Sequence, residues 1–80
     1  MRLKCWTVIE ESYSGTKNTD SFFQKEAAQA FMKAQAQENE NFYSEQGYGM
    51  ERNETELSIS LHTEPFYIWH DWEIIESYVE

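Results

Sequence analysis

Cysteine, proline, glycine and positive charge are all scarce in this chain: its 80 residues hold one cysteine, one proline, three glycines and six lysines or arginines. A lone thiol, Cys5, makes no internal disulfide, so the fold does not depend on an oxidising compartment. Gly15, Gly47 and Gly49 lack the spacing and the following lysine of a phosphate-binding loop. Six scattered bases make no patch that would hold phosphate. Long apolar runs are missing as well. No stretch approaches the roughly 18 consecutive apolar residues of a membrane span, and the first residues lack the apolar run of a secretory signal. These absences point to a cytoplasmic chain that contacts neither membrane nor nucleic acid directly.

What is present argues for a folded chain with a charged partner. Forty per cent of the residues are hydrophobic and 16% aromatic, too much for a disordered segment even at a net charge of -9. The length suits one domain, residues 1–80, with one core. The charge is unevenly placed. Residues 1–33 carry a net of +1, whereas residues 34–80 carry -10, with Arg52 the only base among eleven acids. Such a segment repels phosphate, so a charged partner should be a basic protein.

Residues 3–11 alternate Leu3, Cys5, Thr7 and Ile9 against Lys4, Trp6, Val8 and Glu10, which predicts a strand. Ser12, Tyr13, Ser14 and Gly15 are turn formers, and residues 16–22 return as a second strand or lead into a helix capped by Ser21 and Gln24. Residues 24–40 are free of glycine and proline and rich in helix formers. Phe23, Ala27, Ala30, Phe31 and Ala34 form the expected buried stripe, widened by Ala28 and Met32. Residues 39–53 read as a long connection anchored by Phe42, Tyr43 and Tyr48. Leu57, Ile59 and Leu61 then alternate against Glu56, Ser58, Ser60 and His62, and Glu54 continues that polar face. Thr63, Glu64 and Pro65 predict a turn before a final strand over residues 66–79, interrupted near His70 and Asp71. The expectation is an α+β domain in which a single helix packs on an antiparallel sheet of three to four strands, in ββαββ or βαββ order.

Catalytic and metal chemistry find little support. His62, His70, Asp71 and Glu73 offer nitrogen and oxygen ligands, but their spacing fits no closed zinc site, and the adjacent His70 and Asp71 face opposite ways on a regular strand. Cys5 belongs to the alternating apolar set and reads as a small buried hydrophobe. The chain is expected to be no enzyme and to hold no metal and no cofactor.

The acidic and aromatic residues of the last two strands are the stronger signal. Side chains two apart on a strand recur about every 6.8 Å. Rows of carboxylates therefore approximate, at lower density, a duplex strand with its phosphate about every 3.4 Å. Trp69 and Trp72 point to opposite faces, with Phe66 following Trp72, so a large ring is left for an interface. The expected partner-binding set is Glu54, Glu56, Trp69, Asp71, Trp72, Glu73 and Glu76.

A short acidic β/α/β chain whose C-terminal stretch, Trp69 to Glu76, crowds aromatics among carboxylates resembles in character the small phage-encoded inhibitors of bacterial defence, the anti-CRISPR and antirestriction proteins. The resemblance implies a host-cytoplasmic inhibitor that occupies the nucleic-acid-binding surface of a nuclease or defence complex by electrostatic mimicry. The alternative expectation is an adaptor or structural subunit that acts through aromatic and strand-edge contacts, including self-association as a homodimer.

Overall fold

The computed structural model describes residues 2–63 and 67–79. The order is β1 (Leu3–Ser12), β2 (Lys17–Phe22), α1 (Lys25–Glu45), β3 (Glu51–Thr55), β4 (Ser58–His62) and β5 (Trp69–Val79). The strands form one antiparallel sheet in the order β2-β1-β5-β4-β3. The α+β architecture is as expected, with one helix among the described residues, but the strands there number five and not three or four.

The N-terminal hairpin follows its turn chemistry. Gly15 adopts φ 86° and its N–H donates to the Ser12 carbonyl at 3.1 Å, closing the turn into β2. Ser21 is therefore a strand residue, its hydroxyl 3.0 Å from Thr7 Oγ1 across the pair, and not a helix cap. Gln24 occupies the N-cap position with no side-chain hydrogen bond to the helix.

The helix runs five residues beyond residue 40, through much of the stretch that reads as a connection. Gly47 marks its end: at φ 90° it supports a C-terminal motif in which Gly47 N–H donates to Ser44 O and Tyr48 N–H to Tyr43 O, at 3.0 and 3.1 Å. The rings of Tyr43 and Tyr48 pack edge to face across that motif. The extra length also decides which stripe is buried. Ala28, Met32, Ala36 and Tyr43 face the sheet, while Ala30 and Ala34 are exposed and Phe23 is two-thirds exposed. Continued past residue 36, the expected stripe would meet Gln37, Glu38 and Asn41, whereas the observed line crosses the half-buried Asn39 and regains a buried ring at Tyr43.

Residues 51–55 form β3, an additional edge strand, and the turn at Glu56 and Leu57 separates it from β4. That turn shifts the alternation. Glu54 lies opposite Ile59, on the buried side of the sheet, and does not continue the Ser58, Ser60, His62 face. Strand β5 passes through His70 and Asp71 without a break. The expectations for Glu64, Pro65 and Phe66 fall outside the described residues.

Every strand pair keeps a constant register, so each face can be followed across the whole sheet. The helix covers the side holding Val8, Ile59, Leu61, Trp72 and Ile74, which with Ala28, Met32 and Ala36 make the core. Trp6, Phe22, Phe31 and Met50 seal its margins. The opposite side of the sheet has no second layer of structure among the described residues.

Candidate protein-docking face

The uncovered side of the sheet is assembled from alternate residues of all five strands. Lys17, Glu11, Asp71, Ser60 and Asn53 lie in register across it, with Thr19, Ile9, Glu73, Ser58 and Thr55 in the next row. Its strand residues carry four carboxylates, Glu11, Glu51, Asp71 and Glu73, against a single lysine, Lys17. Lys17 Nζ stands 3.9 Å from Glu11 at the sheet margin, Glu51 pairs with His62 at 3.1 Å, and Asp71 and Glu73 have no ion pair among the described residues.

Asp71 and Glu73 form a ridge between two depressions. A groove of about 400 Å³ on one side is walled by Ser58, Ser60, Asp71 and Glu73. A smaller one of about 140 Å³ on the other is walled by Ile9, Glu11 and the same two acids. Hydroxyls and carboxylates here are hydrogen-bond acceptors suited to lysine or arginine side chains. Further along the same face the chemistry changes. Thr7 lies opposite Ile75, Cys5 opposite Ser77, and Leu3 opposite Val79, so the far end is uncharged and carries the exposed aliphatics Ile75, Leu3 and Val79.

Positive charge on the helix side is largely neutralised by nearby acids. Lys4 bonds Glu76 at 2.9 Å, Lys25 bonds Glu56, and Arg52 bridges Glu40 at 3.2 Å and Glu54 at 2.6 Å. The Glu56 carboxylate hydrogen bond holds the Lys25 ammonium above its ordinary range, and the same bond lowers the Glu56 carboxyl. Glu54, Glu56 and Glu76 are thus engaged with bases away from the uncovered face. Trp72 is buried beneath the helix at 1% exposure. Of the seven residues expected to bind a partner, the uncovered face holds Trp69, Asp71 and Glu73; Glu54, Glu56, Trp72 and Glu76 lie apart from it. The Trp69 and Trp72 faces separate as the alternation requires, with Trp69 half-buried.

No protein-family model, curated protein or solved structure matches this chain.

Sequence reasoning missed Glu11 as a site residue, because only the β1–β5 register sets it directly opposite Asp71. It also missed a buried polar group beneath the C-terminal end of the helix. Glu10 accepts from Asn18 at 2.9 Å and contacts His70 Nε2 at 2.5 Å, and the His70 ring stacks on Trp72 at 4.5 Å. Two buried atoms there, His70 Nδ1 and Trp72 Nε1, have no hydrogen-bond partner among the described residues. Burial pushes the nearby Tyr43 phenol up, and Tyr13 and Glu10 beside it act in the same direction. His62 and His70 occupy opposite faces of the sheet, and among the described residues no group of three or more His, Cys, Asp or Glu is placed to hold a metal ion. Cys5 is buried, with Sγ 3.9 Å from Thr7 Oγ1. No helix among the described residues is long and apolar enough to cross a membrane.

Proposed function

We propose that this chain is a binding inhibitor that sets its uncovered acidic sheet face against the basic, nucleic-acid-binding surface of a nuclease or defence complex. One observation carries the reading. The bases Lys4, Lys25 and Arg52 are held on the helix side by their own acids, so the Asp71–Glu73 ridge keeps its charge on a face without a covering layer. Uncompensated like charges raise the self-repulsion of a small domain, and a basic partner relieves it while gaining speed of association.

The test uses the full chain as bait against a bacterial lysate, followed by elution with duplex DNA and with salt. A partner engaged through its nucleic-acid surface is released by DNA, and its retention falls steeply as salt rises. Replacing Glu11, Asp71 and Glu73 by Gln, Asn and Gln should abolish retention, while Glu54→Gln, Glu56→Gln and Glu76→Gln together should leave most of it. Equal retention by the two triple variants, both folded, overturns the reading.

The two sheet edges support a second reading, an adaptor that associates with its own copies. Among the described residues, strands β2 and β3 each pair on one side only, and β2 has neither proline nor a bulge to block another strand. Sedimentation across salt concentrations separates the two readings, since a dimer that persists in high salt rests on strand and apolar contacts.

A further inference from the structure

Resting on the docking reading above, we infer that the element seated on the uncovered face is an α-helix with a basic half and an apolar half, lying along β5 and β1. The order of side chains along β5 points to it. On this face it presents Trp69, Asp71, Glu73, Ile75, Ser77 and Val79, and β1 sets Glu11, Ile9, Thr7, Cys5 and Leu3 beside the last five of them. The face is acidic at one end and uncharged, with its exposed aliphatics, at the other. Leu3 is 52% exposed, Ile75 44% and Val79 46%, which leaves three aliphatic side chains in water at the uncharged end.

A basic nucleic-acid surface alone matches only the acidic end. A cationic extended strand would add to a sheet edge, where backbone groups are open, and not to the middle of a face whose backbone is already paired. A helix needs no backbone partner and packs by side chains alone, as α1 does on the opposite side. Its spacing fits. Side chains four apart on a helix advance about 6 Å along its axis, close to the repeat of about 6.8 Å between same-face residues on a strand. Two basic residues four apart then meet Asp71 and Glu73, and an apolar residue in the next turn meets Ile75. The full length of β5 is about 33 Å, which about 22 helical residues would span. The two grooves flanking the acidic ridge accept the long basic side chains, and the small Ser77 and Cys5 leave room for bulky apolar ones.

The probe is a synthetic 22-residue peptide, fluorescein-labelled, with lysines at i and i+4 in one half and leucines on the same face in the other. It is compared with an isomer of identical composition in which a proline moved from the end to the centre breaks the helix, and with octalysine. Binding is read by anisotropy and peptide helicity by circular dichroism. The expected result is at least tenfold tighter binding of the helical peptide than of its isomer, with helicity rising on binding. Ile75→Asp should weaken the helical peptide tenfold or more while octalysine, which meets one more carboxylate, binds at least as tightly as before, and the uncharged Ile75→Thr, which keeps a strand-forming residue, should weaken the helical peptide and leave octalysine unchanged. Asp71→Asn with Glu73→Gln should weaken both probes. Equal affinity for the helical peptide and its isomer refutes the helix while leaving an acidic docking face standing. No binding of any of the three at low salt removes the docking reading itself.

Discussion

The buried stripe of α1 can be tested by adding the same three carbons at two alanines two residues apart. Ala36 has no exposed surface and meets the sheet between Met32 and Tyr43, whereas Ala34 faces water. Ala36→Leu inserts bulk into a filled space, and overpacking of this kind costs about 1–3 kcal/mol. For a domain of this size each kcal/mol moves the thermal midpoint by about 4–8 °C, so Ala36→Leu should lower it by several degrees at the least. Ala34→Leu exchanges one strong helix former for another on a solvated face and should stay within about 0.5 kcal/mol. Met32→Ala, which empties the fully buried centre of the same line, should cost about 2–5 kcal/mol. Urea unfolding followed at 222 nm and by tryptophan fluorescence gives all three differences on one scale. If Ala34→Leu proves more damaging than Ala36→Leu, the helix is rotated from the position described and the assignment of the covered and uncovered sheet faces loses its main support.

Glu10→Ala strips the partner from His70 Nε2 and leaves both nitrogens of a buried ring unsatisfied, a loss of about 1–3 kcal/mol in urea unfolding. Because the folded state lowers the Glu56 carboxyl, the stabilisation from Glu56 is present above its unfolded value of 4.5 and disappears as pH falls through the folded value. Thermal melts of wild type and Glu56→Gln should therefore differ at pH 7 and draw together as pH is taken progressively below 4.5. Neutralising Asp71 and Glu73, which have no ion pair among the described residues, should change the midpoint by no more than about 0.5 kcal/mol equivalent, so any loss of partner binding in that variant reports on the interface and not on folding.

The elements that were legible in the sequence are those whose signal is local. Alternation marked β1, Gly15 marked the turn into β2, and the helix formers after Gln24 marked α1, because strand pleat, positive φ and helix propensity each act within a few residues. The extent of α1 was less legible. Gly47 and Gly49 suggested a loop, but Gly47 is a helix terminator, so the polar run before it was available to the helix. Strand β3 carried almost no signal, since Glu51, Asn53 and Glu54 are poor strand formers held by pairing with β4 and by the bridges from Arg52 to Glu40 and Glu54.

By itself the sequence determined that the chain folds as one helix with an antiparallel sheet and that its acidity lies beyond Lys33. It also determined that Trp69 and Trp72 must part company, since neighbours three apart on a strand point to opposite faces. Tertiary structure alone decided what the acidity means. Registers between strands distant in sequence place Glu11 beside Asp71 on the uncovered face, while the Glu56 turn and the placement of Lys4, Lys25 and Arg52 turn Glu54, Glu56 and Glu76 into ion-pair partners on the other. A charge count is additive along the chain, but the field of a surface depends on which charges lie together and which lie beside an opposite one, and only folding sets those distances.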